Sequence, residues 1–468
     1  MKHSGLTLPK SGSKADRFLT KQLSSNQFSY RDVFSIYFPV LLDQFFIYII
    51  SVCSTALVSS SSQESVTAVS LIGPVQTTVL CLANAFAVGG SVVVAQYKGK
   101  GDEAKTQKAG GQVIFGSVLM ALVLGISLAC FARPIVDLLF SSASETVRTK
   151  GSAYLTGMSI SMIWFSVYIS CFSVLRGIGQ SKICLRLTVI INAIYLAMNI
   201  LFINVMKLDI LGTALAMNVA RVIGAGIAVY SLMGPHSPLR VKLSDILQAE
   251  KHMLISIMKV GIPFGMEQIF FNGGNLLVQM YMAGLGTASV AAYAITNSAS
   301  GLMYAAAMSM GTLAVTICGR CFGAGDKSLT RHYGKQLLRL STLFTLVSIA
   351  VFYPLMPVIL KLYHAPFETL QIIYKLLVIV VIPLPFFYPT ANVMPNILRS
   401  AGDSTFSSIV SLSTMWIIRV ALGYLLGIVL DFGILGIMCC LGLEWAVKTL
   451  IYGLRFRGSK WLSKKTIS

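Results

Sequence analysis

The chain has 468 residues, of which 55% are hydrophobic and only 12% are charged, and its mean hydropathy is +0.75. Soluble globular domains carry about 25% charged residues, so this charge deficit excludes a water-soluble enzyme. The composition also excludes disorder, coiled coil and collagen, and an all-α polytopic membrane protein remains. In a soluble protein the formal net charge of +20 would indicate nucleic acid. In a membrane protein it is a topology signal, so no nucleic-acid partner is expected.

Twelve apolar segments are long enough to cross the lipid bilayer, which needs about 20 helical residues. In chain order they are 33–58, 68–96, 110–132, 151–175, 183–205, 210–233, 256–284, 288–318, 337–360, 370–398, 406–429 and 433–454. A basic or amphipathic arm (1–32) precedes them, a linker (234–255) separates two groups of six, and a basic tail (455–468) follows. We therefore expect two six-helix repeats, 33–233 and 256–454, in one membrane protein.

The distribution of basic residues predicts the orientation of the chain in the membrane. With a cytoplasmic N-terminus, 29 of the 37 lysines and arginines fall on the cytoplasmic side, and this number includes Arg399 and, counted with the C-terminal tail, Lys448. Six fall on the opposite side, and Arg221 and Arg419 lie within spans. Cytoplasmic loops carry such an excess, so we expect both termini in the cytoplasm. Residues 18–31 of the arm are predicted to form an amphipathic helix on the cytoplasmic face, with a partly disordered basic arm as the alternative.

The two halves of the chain are an internal duplication. The residues that meet an identical or chemically similar residue 224 positions later are Pro39, Asp43, Gln44, Gly99, Gly101, Asp102 and Gln112. Each half has an even number of spans, so both enter the membrane in the same orientation. We expect a pseudo-two-fold axis along the membrane normal to relate them. In such transporters the substrate site lies between the halves near the midplane, and rocking of the halves gives alternating access.

The repeated loops resemble those of a known family. AQYKGKGD at 95–102 and GRCFGAGD at 319–326 are similar to the Q-x-x-G-A-G-D loop of MATE (multidrug and toxic compound extrusion) transporters. LRGIGQS at 175–181, LRSAGDS at 398–404 and the layout of six plus six spans match as well. The resemblance implies a V-shaped twelve-helix fold with a central cavity. It also implies efflux of cationic, amphipathic compounds in exchange for Na⁺ or H⁺, no other cofactor, a bacterial cell membrane and a monomer.

The glycine loops also have a plain physical interpretation. Glycine tolerates positive φ in a tight turn, and an aspartate at the start of a helix can cap it. Gly101 and Gly325 are therefore predicted to turn the chain, and Asp102 and Asp326 to cap the helices that follow. The loops lack the spacing of a phosphate-binding P-loop.

Three carboxylates fall well inside predicted spans, namely Asp43, Glu267 and Glu444. Such residues usually face a cavity or a partner, because an isolated charge in lipid is costly. Asp43 and Glu267 each follow a span proline by four residues. They are the predicted sites for substrate and for the coupling proton or cation, with Na⁺ as a candidate near either. The alternative for both is a structural ion pair with Arg221 or Arg419.

Glu444 has a simpler interpretation than the other two acids. It precedes Lys448 by four residues, a spacing that places the two side chains on one helix face. We therefore predict a structural ion pair for Glu444.

Further polar residues follow the two candidate acids or share one face of span 5. They are Gln44, Gln268, Asn272, Asn275, Asn192, Tyr195 and Asn199. We predict that they support the site, although single buried asparagines also bridge helices.

The positions that decide coupling depart from the family pattern. One MATE branch carries aspartates in spans 1 and 5, where this chain has Ser54 and Asn199. Another branch carries a span-7 glutamate near Phe271 or Asn272. The coupling ion therefore stays open between H⁺ and Na⁺, and the smaller number of ligating oxygens in span 5 favours protons.

The leading hypothesis is an antiporter that exports cationic amphipathic drugs or toxic organic compounds, with no catalytic residues. The first alternative is a flippase or exporter of a lipid-linked or other metabolite substrate in the same superfamily, which would favour a cavity lined with basic residues. A membrane receptor or scaffold would not need duplicated acid–glutamine pairs behind prolines. An intramembrane enzyme is disfavoured because no histidine lies in a predicted span.

Overall fold

The computed structural model describes residues 13–25, 27–58, 63–139, 145–235, 237–361 and 366–464. These residues form helices and connecting turns. The α-helices are α1 (Lys14–Leu23), α2 (Tyr30–Val58), α3 (Gln63–Lys100), α4 (Glu103–Cys130), α5 (Ala132–Leu139), α6 (Glu145–Gly177), α7 (Ser181–Asn199), α8 (Asp209–Met233), α9 (Leu243–Leu247), α10 (Lys251–Gly284), α11 (Thr287–Gly323), α12 (Lys327–Phe352), α13 (Met356–Lys361), α14 (Phe367–Val381), α15 (Leu384–Ser400), α16 (Ser404–Thr414) and α17 (Gly433–Arg457). Three π-helical segments, Ile200–Val205, Met415–Leu422 and Leu425–Val429, and a 3₁₀ turn, Lys460–Ser463, complete them.

The all-helical fold with two sets of six long helices is confirmed. In the described part of the chain, ten helices are long and apolar enough to cross a membrane, and α14 with α15 forms an eleventh span bent by 64°. Five of these spans lie in the first half and six in the second, and the 29-residue helix α2 is the sixth long helix of the first half. The predicted continuous span 370–398 is in fact this bent pair. It breaks at Pro383, whose ring nitrogen has no hydrogen to continue the helical hydrogen bonding.

The outer faces of the spans suit a lipid environment. Large aliphatic side chains project outward, and Ile417 is 65% and Val123 59% exposed. Exposed apolar surface of this kind marks a membrane or protein interaction surface. The long helices satisfy their backbone hydrogen bonds internally, as a spanning segment must.

The chain divides into two compact units. The C-terminal unit contains the described residues up to Phe45 and from Met266 onward, and the N-terminal unit contains Phe46–Gly265. Both boundaries fall inside the first helix of a repeat, α2 or α10, so these two helices contribute to both units. As a result, Asp43 and Glu267 both belong to the C-terminal unit.

The repeated glycine loops have matching backbone geometry in the two units. Gly101 has φ 78° and Gly325 has φ 83°, a left-handed conformation that glycine adopts without steric cost. Asp102 and Asp326 cap α4 and α12, and each carboxylate accepts the backbone N–H three residues later, at 2.9 and 2.8 Å. The predicted turns and caps are confirmed.

The duplication also extends to the ends of spans 5 and 11. Each ends in a π-helical segment, Ile200–Val205 or Leu425–Val429. The residues that follow, Lys207 and Asp431, have φ 53° and 55°, and a non-glycine residue in this region is strained by about 1–2 kcal/mol. The next residue in each unit donates its N–H to a carbonyl six positions earlier, at 2.9 and 3.0 Å. The repeats thus share a strained turn that hydropathy does not predict.

The linker between the repeats is packed against the N-terminal unit. Its short helix α9 lies against α4, where Gln112 is buried. The Nε2 of Gln112 donates to the carbonyls of Asp245 and Gln248 at 2.9 and 2.8 Å, and its Oε1 accepts the Glu250 N–H at 2.8 Å. One amide side chain therefore satisfies three backbone groups of the linker.

The N-terminal arm contains a helix, but its position differs from the prediction of 18–31. α1 ends at Leu23 and α2 begins at Tyr30, because the chain turns over α12 between them. The Tyr333 hydroxyl on α12 lies 3.0 Å from the Leu23 carbonyl, 3.2 Å from the Phe28 carbonyl and 2.9 Å from Ser25 Oγ. These contacts provide partners for backbone groups where the helix ends.

Candidate functional site

Glu267 forms a buried ion pair within the C-terminal unit. It lies on α10 four residues after Pro263 and is 7% exposed. Its carboxylate accepts a hydrogen bond from the guanidinium of Arg399 at the end of α15, which is 3% exposed. Arg399 Nη1 also donates to Asn396 Oδ1 at 3.3 Å. The pair is neutral overall, which is the condition under which two charges can be buried together.

The partner of Glu267 corrects two predictions. Arg399 was expected in a cytoplasmic loop, and Arg221 or Arg419 was named as the partner of Glu267 in the alternative interpretation, a structural ion pair. α15 instead continues to Ser400, two residues beyond the predicted span, so its last turn carries Arg399 against α10. The repeat held a signal for this role, since the LR dipeptide recurs at Arg176 in the first half.

A glycine on α11 positions the asparagine that holds Arg399. A Cβ atom on Gly311 would lie 2.7 Å from Asn396 Nδ2 and 3.1 Å from Asn392 Oδ1. Asn396 Nδ2 donates to the Asn392 carbonyl at 3.0 Å, so its orientation within α15 is defined. A side chain at position 311 would therefore displace the Asn396 and Asn392 amides from these positions.

Asp43 is buried where α2 packs against α11. Its exposed fraction is 2%. In the two turns of α2 that precede it, the Tyr37 hydroxyl donates to the Ala306 carbonyl at 3.4 Å, and Ser309 Oγ donates to the Val40 carbonyl at 3.5 Å. These bonds hold the part of α2 that carries the acid inside the C-terminal unit.

Glu444 is the centre of a second buried charge cluster in the C-terminal unit. Its Oε1 lies 2.6 Å from Lys448 Nζ, which confirms the predicted pair, and its Oε2 accepts from Arg419 Nε at 2.6 Å. Arg419 Nη1 donates to Asn275 Oδ1 at 3.1 Å. Both cations lie near the Phe271 ring, at 5.2 Å for Arg419 and 5.6 Å for Lys448. We call these five residues the basic cluster.

Two cations of the basic cluster differ from the sequence-based predictions, Lys448 in its location and Arg419 in its partner. Lys448 was counted with the cytoplasmic tail, but its side chain is 9% exposed. Arg419 was offered as a partner for the repeat-related acids and instead bonds Glu444, which is fully buried. Asn275, predicted as a supporting polar residue, reaches the cluster through Arg419.

The remaining predicted polar residues lie on α2, α7 and α10. Those that are half-buried are Gln44, Gln268, Asn272, Asn192 and Tyr195. On α7, Asn192 and Asn199 each donate Nδ2 to the carbonyl four residues earlier at 2.8 Å. Asn199 is 2% exposed, and its Oδ1 has no hydrogen-bond partner within the described residues. The Ser54 side chain lies outside the described part of the structure.

The N-terminal unit contains a half-buried cation within a span. Arg221 Nη1 donates to Ser161 Oγ at 2.6 Å, and its guanidinium lies 4.7 Å from the centre of the Phe165 ring. Among the described residues, no carboxylate pairs with it. A hydroxyl and an aromatic face therefore stabilise this arginine.

In comparison with known proteins, the chain matches one family model and is similar in sequence to bacterial relatives. The MatE family model matches residues 39–201 and 263–425, at the same offset as the internal repeat. The chain is 24% identical over 443 residues to the "Uncharacterized transporter YisQ" of Bacillus subtilis, covering 92% of this chain and 95% of the relative. It is 22% identical over 447 residues to the "Probable multidrug resistance protein NorM" of Thermotoga maritima, covering 94% of each.

Among solved structures, the fold is similar to an "Outward-facing conformation of a multidrug resistance MATE family transporter of the MOP superfamily". The TM-score is 0.83 and the identity 18%, over 91% of this chain and 95% of the other. This likeness supports the helical fold described above.

Proposed function

Because the chain belongs to the MatE family, we propose that it is a secondary active antiporter that exports cationic amphipathic drugs or toxic organic compounds in exchange for H⁺ or Na⁺. Its relatives are transporters, and a probable multidrug resistance protein is among them. The chain is a multi-pass membrane protein, and its bacterial relatives support the plasma membrane as its location. The proposal includes cytoplasmic termini, a monomeric state and no bound cofactor beyond the coupling ion.

The buried Glu267–Arg399 pair is the observation that carries this proposal. A buried carboxylate is stable only while a positive charge neutralises it, and Arg399 supplies that charge in this structure. A proton, Na⁺ or the cationic group of a substrate can replace the guanidinium at Glu267. Because one carboxylate serves one cation at a time, competition between ion and substrate produces exchange.

Asp43 is the second acid in the proposal. It is the repeat counterpart of Glu267 and equally buried in the C-terminal unit. Gln44 and Gln268 directly follow the two acids in sequence and Asn272 lies further along α10. We assign these amides the supporting role of hydrogen-bonding partners for bound water, ion or substrate.

A second candidate function is export of a lipid-linked or other metabolite substrate. The observation that favours it is how the cations in the spans are distributed among carboxylates: within the described residues no carboxylate pairs with Arg221, and Arg419 and Lys448 share one. An anionic substrate would supply the missing negative charge.

Transport in proteoliposomes tests the proposed function. A cationic dye is loaded into vesicles that carry the purified protein, and its movement is followed under an imposed pH difference or an imposed Na⁺ gradient. We expect one gradient to drive dye exchange, and the Asp43→Asn and Glu267→Gln variants to abolish it at normal protein levels. Full exchange by both variants would remove these acids from the mechanism.

The chain offers a matched control for these substitutions. Glu368 is an exposed acid in the first turn of α14 of the same unit. Glu368→Gln removes one carboxylate without touching a buried pair, so it should exchange dye like the wild type.

A further inference from the structure

We propose that the basic cluster binds an anionic group, a carboxylate or a phosphate, on the transported compound. This inference rests on the proposed transport function and deepens it, because it names a substrate class that carries a negative charge. A zwitterionic amphipathic compound would satisfy both this cluster and the carboxylates proposed for a cationic group.

The charge balance of the basic cluster is the first reason. Each oxygen of Glu444 already holds one cation at 2.6 Å, Lys448 on one side and Arg419 on the other. Two positive charges therefore share one negative charge. Within the described residues no second carboxylate pairs with either cation. An uncompensated charge at membrane depth is costly, so a second anion would stabilise the cluster.

The hydrogen-bonding capacity of the cluster is the second reason. A guanidinium has five N–H groups, and Arg419 uses Nε on Glu444 and Nη1 on Asn275. Its other N–H groups make no hydrogen bond within the described residues. The planar fork of arginine matches the two oxygens of a carboxylate or phosphate, and the Lys448 ammonium adds a point charge beside it.

The depth of the basic cluster within its span excludes the lipid headgroups as the source of the anion. On α17, Glu444 lies about 16 Å from the helix start at Gly433, and Lys448 about 14 Å from its end at Arg457, at 1.5 Å per residue. A helix of this length spans a hydrocarbon core of about 30 Å, and both residues lie near the middle of the helix. The headgroups of the surrounding bilayer do not reach that depth. The anion must therefore be carried by a compound that enters the protein.

Two dyes that differ by one charge test this inference. The first is a zwitterionic rhodamine with a free carboxylate, and the second is the methyl ester of the same dye, which keeps the cationic ring system. Binding to the full-length protein in detergent is measured by fluorescence polarisation, without any gradient. We expect the wild type to bind the acid about tenfold more tightly than the ester, as for one added charge-assisted hydrogen-bonded pair.

Lys448→Met is the diagnostic variant. It leaves Glu444 and Arg419 as a neutral buried pair, so the fold is expected to persist. It should reduce the acid-to-ester preference to near unity while the affinity for the ester changes by less than about twofold. Lys375→Met removes an exposed lysine of the same unit and should keep the preference. Lys448→Gln repeats the test if the methionine variant does not fold.

Several results would overturn the inference. The first is equal affinity of the wild type for the acid and the ester, which includes no binding of either dye. The second is an equal loss of affinity for both dyes in the Lys448 variants. The third is displacement of the acid by chloride at physiological ionic strength. Failure of the proposed function is a separate result. Vesicles that exchange neither dye under either gradient would refute antiport, whereas the binding preference does not depend on a gradient.

Discussion

Replacing Arg399 with glutamine tests the buried pair that carries the proposed function. Arg399→Gln leaves the carboxylate of Glu267, which is 7% exposed, without its guanidinium. Removing one partner of a buried ion pair costs about 3–5 kcal/mol, because the other charge stays buried and uncompensated. The variant also loses the hydrogen bond to Asn396 Oδ1, worth about 1 kcal/mol. We therefore expect destabilisation in the upper part of that range.

The double variant distinguishes the interaction between Glu267 and Arg399 from the interactions that each residue makes with the rest of the protein. Glu267→Gln with Arg399→Gln places two neutral amides of similar length at the same positions, so no charge remains buried at this site. The double variant should be more stable than Arg399→Gln alone. The coupling energy between the two substitutions should be at least about 2 kcal/mol, which lies in the upper part of the range of coupling energies for residues in contact.

The measurement is denaturation in detergent, followed by far-UV circular dichroism for the wild type, both single variants and the double variant. Arg457→Gln serves as the control, because this arginine is exposed at the end of α17 and should change stability by less than about 0.5 kcal/mol. Additive losses in the double variant would refute the reasoning. They would mean that the two charges do not stabilise one another in the folded protein.

Three further predictions concern the scaffold around the site. Gln112→Ala removes three hydrogen bonds to the linker, so we expect a loss of about 1–3 kcal/mol and faster cleavage of the linker in limited proteolysis. Gly311→Ala should cost about 1–3 kcal/mol by overpacking, since its Cβ would meet Asn396 Nδ2 at 2.7 Å. Gly453→Ala, with no atom within 4 Å, should not lower the thermal midpoint, and equal midpoints for the two glycine variants would contradict the close approach. Asp326→Ala removes the cap of α12 and should cost about 1 kcal/mol; an unchanged midpoint would contradict that role.

The parts of the fold that follow from local pattern were predictable from sequence. The number of spans follows from hydrophobic length, and the turns at Gly101 and Gly325 follow from glycine in a repeated loop. The caps at Asp102 and Asp326 follow from an acidic residue before a helix. Each of these features depends on residues that are neighbours along the chain.

Features that depend on the balance between local preferences and tertiary packing were not predictable from the sequence. Hydropathy continues through Pro383, yet the helix axis bends by 64° there. The strained turns at Lys207 and Asp431 are offset by backbone bonds that no residue type indicates. The end of α1 depends on a tyrosine that lies more than 300 positions away in the sequence.

The candidate site likewise has one ion pair that was predictable from the sequence and one that was not. Glu444 and Lys448 were predicted as a pair because four residues along a helix bring side chains together. The partner of Glu267 is 132 positions away, and a charge count along the chain assigned Arg399 to the cytoplasm. That count placed only Arg221 and Arg419 within spans, whereas an anionic substrate would favour a cavity lined with basic residues.

The buried positions of Arg399 and Lys448 change this argument about substrate. Arg399 is neutralised by Glu267, so it adds no net charge. Lys448 is different, because it shares Glu444 with Arg419, so that within the described residues two cations pair with one carboxylate. The case for a substrate that carries a negative charge therefore depends on how cations are distributed among carboxylates, not on how many cations the spans contain. That distribution is a property of packed helices, and a sequence read one residue at a time does not contain it.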